Sequence, residues 1–152
     1  MSYTIQFQRL SSVPLAVVRR QVSQAELASL VPACCGLVWE AIRSQRVKAG
    51  RHVALYWDGS IRLEVGVELP GDFVEQNGVV HSATPAGAVA FTTHLGPYGS
   101  LRGAHGFVRD WCKANGHRLA GPSWEVYGHW LPEWDADPSL IQTDVFYQVA
   151  EA

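Results

Sequence analysis

Gly121-Pro122-Ser123-Trp124-Glu125-Val126-Tyr127 has a worn counterpart in the first half of the chain, Arg51-His52-Val53-Ala54-Leu55-Tyr56-Trp57. Laying Tyr127 on Tyr56 puts Glu125 on Ala54 and Val126 on Leu55. One copy then carries a carboxylate where the other carries a methyl group. A difference of that kind inside a repeat marks where two like halves serve unlike ends.

The flanking sequence repeats the same order of elements. Residues 3–9 alternate Tyr3, Ile5 and Phe7 with polar residues, the period of a half-buried strand, and 13–21 read as a second strand. A helix is predicted from Ser23, whose capping box with Glu26 would satisfy free amides at its start. Pro32 has no N–H and is expected to interrupt or restart that helix. Beyond it Cys35, Val38, Trp39 and Ile42 recur at helical spacing and predict a buried face, and Gly50 ends the unit. Residues 52–57, the turn Asp58-Gly59-Ser60 and residues 61–69 read as a hairpin. In its second strand Ile61, Leu63, Val65, Val67 and Leu69 share one face, and Arg62, Glu64, Gly66 and Glu68 the other.

After Pro70-Gly71-Asp72 the pattern starts again, with strands over 79–84 and 88–94. A second helix follows, with Leu101, Ala104, Val108 and Trp111 as its buried stripe and Asn115-Gly116 as a left-handed stop. Strands over 124–130 and 141–149 complete the chain, joined by a loop that holds Trp134 and Pro138.

The copies match piecewise. Residues 61–69, IRLEVGVEL, lie over 141–149, IQTDVFYQV; residues 13–18 lie over 86–91; Trp39 falls near Trp111. The reading is therefore a duplicated ββαββ module, with pseudo-repeats at about 1–70 and 79–150 in a single domain spanning 1–152. The fold class is α+β: an antiparallel sheet with two main helices packed on it, and a crevice near the pseudo-twofold seam as the natural ligand site.

Composition narrows the function. Of 152 residues 47% are apolar and 17% charged, and the net charge is −2, so no basic stripe suggests a grip on duplex DNA. The opening MSYTIQFQRL has no signal-peptide core, and no apolar run reaches the roughly 18 residues of a membrane span. Cys34, Cys35 and Cys112 form an odd set without a CxxC pair, which fits reduced thiols and a cytoplasmic location. The histidines His52, His81, His94, His105, His117 and His129 have no paired ligand spacing, so neither a metal nor a cofactor is expected. No nucleophile elbow or phosphate loop is present.

His94-Leu95-Gly96-Pro97-Tyr98, the helix after it, GPSWEVY at 121–127 and the closing TDVFYQV together resemble the GyrI-like effector-binding domain. The similarity spans essentially the whole chain and is most marked after Val79. It implies a duplicated strand-rich SHS2-type module. The family includes drug-binding domains of bacterial transcription activators, small gyrase-inhibitor proteins and stand-alone binding proteins. This sequence departs from the regulators in going straight into Tyr3-Thr4-Ile5 with no helix-turn-helix before it, so a free-standing ligand binder is expected, without direct contact to nucleic acid.

On their strand Ser123, Glu125, Tyr127 and His129 share one face and Trp124, Val126 and Trp130 the other. The large apolar set is expected to meet the helices, leaving Glu125 on an opposite, groove-forming face in a pocket off the twofold axis. In the family a glutamate at this position meets positively charged drugs. The alternatives are a solvated strand glutamate or one paired internally, for instance with Arg62. Tyr127, Tyr147 and Tyr56 are candidate walls and hydrogen-bond handles, and Tyr147 stands where the first half has Val67. Trp39 and Trp130 complete the candidate ligand-binding set, with Trp57 near a turn and Phe73 as further aromatics. Trp134 is expected to close over a ligand or a neighbouring subunit, which keeps a homodimer open; Tyr98 is read as serving the fold.

Three functions follow. The first is binding of cationic or amphipathic aromatic molecules, with Glu125 as the charge partner. The second, implied by the resemblance, is hydrolysis of strained electrophilic xenobiotics by Glu125 and Tyr147. The third is a gyrase-inhibitor-like protein partner.

Overall fold

The computed structural model describes residues 3–21, 27–57 and 62–150. Ser23 and Glu26 of the expected capping box, the turn at 58–60 and Ile61 lie outside them. The elements run β1 (Gln6–Leu10), β2 (Pro14–Gln21), α1 (Leu27–Ser44), β3 (His52–Tyr56), β4 (Arg62–Glu68), β5 (Val79–Ala83) and β6 (Gly87–Leu95). A 3₁₀ turn (Tyr98–Ser100) leads into α2 (Leu101–Ala114), then β7 (Leu119–Tyr127), α3 (Pro132–Ala136), a second 3₁₀ turn (Pro138–Leu140) and β8 (Gln142–Val149).

The strands form one eight-stranded antiparallel sheet in the order β1-β6-β8-β7-β3-β4-β2-β5. Exchanging first-half strands for their second-half counterparts returns this order read backwards, so a topological twofold passes between β3 and β7. Their register locates it: Ala54 pairs directly with Glu125. Residues matched as equivalents in the two halves therefore face each other at the axis.

The other registers test the repeat alignment. Ala54 pairs with Val65 and Glu125 with Val145, which agrees with matching 61–69 to 141–149. The match of β2 to β6 needs a correction of one residue. Ala16 pairs with Val67, and Ala90 pairs with Tyr147, so Ala16 corresponds to Ala90 rather than Val89. A slip of one residue turns every side chain to the wrong face, and only the pairing fixes it.

Both faces of the sheet are buried. On one, α1 packs on β4, β2 and β5 through Cys34, Val38, Ala41 and Ile42, and α2 packs on β6 and β8 through Leu101, Ala104, Val108 and Cys112. Neither α1 nor α2 packs on the other face, yet Leu15, Val17, Val53, Leu55 and Val89 are fully buried there with Trp124 and Val126. This reverses the expectation for β7: Trp124 and Val126 point away from the helices, and Glu125 and Tyr127 lie on the helical face. Helices approach the sheet over small residues, here Ala16, Ala54, Ala88 and Ala90. The stacked rings of Trp124, Phe146 and Phe91 fill the other side.

Three further expectations change. The helix runs through Pro32 without a break from Leu27 to Ser44. Trp39 is 52% exposed instead of buried, because the α1 stripe is centred on Cys34, Val38 and Ile42, and Trp39 lies about 100° beyond Val38. Trp134 is buried in α3, its ring against Gly128 and Trp130, so it covers its own chain. The second helix stops as expected, with Gly116 at φ 74° after Asn115.

Candidate functional site

α1 and α2 have separate partners in the sheet, and the central strands β3 and β7 run beneath the seam between them. Tyr127 bridges that seam, packing against the apolar cores under both helices. Beside it on the same face of β7 is Glu125, 7% exposed at the centre of the sheet. A carboxylate buried this deeply needs partners. It has two: His105 Nε2 lies 2.6 Å from Oε2, and the Tyr127 hydroxyl donates to Oε1 at 2.5 Å.

The network continues outward. His105 Nδ1 is 2.7 Å from the Tyr147 hydroxyl, and Arg109 donates to the same phenol oxygen at 2.9 Å. The Arg109 guanidinium carbon also stands 6.0 Å from the centre of the Tyr147 ring. Burial pushes the Tyr127 phenol well above its ordinary range, with the Glu125 charge adding to the effect. Tyr56 is raised strongly by burial and then by Glu125 and Tyr147. Tyr147 is raised by burial, against a lowering influence from Arg109. All three phenols are thus held as neutral hydroxyls around one acid.

The fold therefore brings Glu125, Tyr127, Tyr147 and Tyr56 together, and puts them on the axis instead of beside it. Trp39 is exposed on α1, one turn after Cys35, which neighbours Tyr127. Trp130 is elsewhere: it is 50% exposed, donates to Asp135 at 3.1 Å and packs edge-on against Trp134. Trp57 turns to the face away from α1 and α2, and Phe73 is core under α1. Tyr98 does more than start its turn, because its ring meets Tyr127 edge-on at 5.6 Å. The turn itself is built by Gly96 at φ 140° and Pro97, and is held from inside by buried His94, which contacts Ser100 Oγ at 3.0 Å.

His105 and Arg109 were not legible as site residues. Their signal is weak but present: they lie four apart on α2, each one position after a residue of the buried stripe, Ala104 and Val108. Among the described residues no three His, Cys, Asp or Glu side chains gather in a way that could hold a metal ion. No described helix is long and apolar enough to cross a membrane.

Comparison with known proteins gives this arrangement a family. Residues 3–149 match the GyrI-like small molecule binding domain. The chain belongs to that family. Among solved structures it is similar to the C-terminal domain of EcmrR, at 19% identity and a TM-score of 0.80, with 100% of each chain covered. In the EcmrR–DNA complex the match, at 18% identity and a TM-score of 0.81, covers 99% of this chain but 58% of the other. It is similar also to SAV2435 bound to tetraphenylphosphonium, at 14% identity, a TM-score of 0.64 and coverage of 99% and 94%. A hydrolase of Listeria innocua shares the fold at 12% identity and a TM-score of 0.62, covering 96% and 91%. No curated protein matches the chain in sequence. This GyrI-like domain thus carries the family's small-molecule binding fold with an acid at its centre.

Proposed function

We propose that this GyrI-like domain binds cationic or amphipathic aromatic small molecules in the seam between α1 and α2, with Glu125 as their charge partner. The observation that carries the reading is a nine-tenths-buried carboxylate ringed by Tyr56, Tyr127 and Tyr147, in a position that only a cation or strong donors can compensate. Aromatic faces add about 0.5–2 kcal/mol of cation–π attraction each. Trp39 and Tyr98, both half-exposed, are the remaining walls. The pseudo-repeats at 1–70 and 79–150 are taken as descendants of one unit, a reading that the strand order and central register support. The test is quenching of tryptophan fluorescence by tetraphenylphosphonium and by a neutral aromatic of the same shape. The cation is expected to bind at least about tenfold tighter, a margin of about 1.4 kcal/mol. Equal affinities would remove the charge role.

A second reading has one observation of its own. Glu125 and the Tyr147 hydroxyl are linked through His105, so a base and a proton donor face the same seam. Under it a strained, cyclopropane-bearing aromatic electrophile is hydrolysed, and turnover disappears in both Glu125→Gln and Tyr147→Phe. Product formation that is insensitive to either substitution, or none at all, leaves binding as the function.

A further inference from the structure

The hydrogen bonds around Glu125 have a direction. A guanidinium only donates, so its 2.9 Å contact makes the Tyr147 oxygen an acceptor from Arg109. The Tyr147 hydroxyl proton is then free for His105 Nδ1 at 2.7 Å, which must be the bare nitrogen of the ring. His105 Nε2 accordingly bears the proton it donates to Glu125 Oε2. In the opposite arrangement an imidazolium and a guanidinium would both donate to one phenol oxygen, and the buried Tyr147 proton would lose its acceptor. Donor accounting therefore gives a neutral His105 beside an anionic Glu125.

We propose that His105 is the specificity gate of this site: neutral, it holds Glu125 in place for a cation; protonated, it becomes the site's own counter-ion and shuts cationic ligands out. This rests on the binding reading above. His105 stands where a ligand's charge would otherwise be needed, within 2.6 Å of the carboxylate, on a helix that flanks the seam. The groups facing it are Glu125 and Tyr127 from β7, Tyr147 from β8, Tyr56 from β3, and Arg109 and Cys112 from its own helix, with Cys35 of α1 beyond Tyr127. The phenols and thiols are pushed up by burial and stay uncharged near neutrality. A donor at position 105 that cannot take up a proton isolates the contribution of His105 from that of the other groups.

Linkage fixes the sign. If cation and proton exclude each other, acid weakens cation binding, and cation binding expels a proton. In the limit the affinity falls about tenfold per pH unit below the gate's midpoint, because only the neutral fraction is competent. The experiment titrates tetraphenylphosphonium into wild type and His105→Gln between about pH 8 and pH 5, where a histidine changes charge. Glutamine keeps an N–H for Glu125 and cannot take up a proton. The expected result is a steep acid loss in wild type and a flat profile in His105→Gln. Calorimetry of the wild type in two buffers of different ionisation enthalpy, which needs no variant, should record proton release on binding. A flat wild-type profile without proton release, or the same slope in His105→Gln, overturns the gate and leaves the binding reading standing. No binding by wild type at any pH overturns the binding reading itself.

Discussion

Glu125→Gln is expected to bind tetraphenylphosphonium about 30- to 1,000-fold more weakly than the wild type, a loss of about 2–4 kcal/mol. The substitution keeps the shape of the side chain and removes its charge. On the binding reading, the cation then loses a carboxylate partner in a place where water does not replace it, since Glu125 is 7% exposed. Folding should respond far less. The carboxylate is held by two hydrogen bonds rather than by a guanidinium or ammonium. The amide oxygen still accepts from the Tyr127 hydroxyl, and the lost bond from the His105 N–H is offset by no longer burying a charge. The melting temperature of Glu125→Gln should therefore stay close to that of the wild type. This pairing of results separates a ligand-binding acid from a structural one. A structural ion pair would lose stability on substitution and leave ligand affinity unchanged, and that outcome would sink the binding role of Glu125.

The fold was legible wherever periodicity was simple. Alternation in 61–69 and the stripe of Leu101, Ala104 and Val108 put those residues on the faces they occupy, with Ile61 outside the described residues. What the sequence could not carry is which face of the sheet receives the helices. Trp124 and Val126 are large and apolar, and size alone suggests a helix contact; but in this sheet, buried on both sides, the large residues fill the face away from α1 and α2 and the alanines lie beneath the helices. Register failed for a related reason. A one-residue error between β2 and β6 leaves a plausible alignment, because both strands are short runs of alanine, valine and other apolar residues that are buried on both faces. At the site, Glu125, Tyr127, Tyr147 and Tyr56 were readable because they depart from the other half or end its shared motif. His105 was not, since a lone helical histidine carries no spacing signal until a sheet residue is known to stand beneath it.

The axis explains why only one half has the acid. Ala54 and Glu125 are direct cross-strand partners, so two glutamates there would bring like charges to about 5 Å in a buried setting. A repeat that keeps equivalent residues at its own axis cannot place a buried charge on both. The methyl of Ala54 is thus the complement of Glu125, and it leaves room in the seam for the carboxylate's partners.

Gly66→Ala is expected to abolish folding of the chain, the second large effect, and the reason again lies in an asymmetry between halves. Gly66 is in the middle of β4, paired with Val17 on one side and Val53 on the other. Its neighbours Val65 and Val67 face the helices, so a side chain at 66 would point to the other face. A Cβ built on Gly66 would lie 1.8 Å from the carbonyl oxygen of Ala16 and 2.8 Å from Val17 Cα. These are backbone atoms of the adjacent strand, which cannot rotate away as a side chain would. The close approach belongs to the pairing of β4 with β2 itself. The counterpart of Gly66 in the second half is Phe146, which fills that face with its ring against Trp124 and Phe91. One half thus has no side chain where the other has a ring. Adding a methyl at Gly66 must separate β2 from β4, a pairing that runs from Leu15–Glu68 to Gln21–Arg62. The cost should exceed about 4 kcal/mol, a large part of the 5–15 kcal/mol that hold an ordinary domain together. Circular dichroism and thermal unfolding of the purified variant provide the check. A Gly66→Ala protein that is soluble, cooperative and within a few degrees of wild type would mean that β2 and β4 do not approach as described.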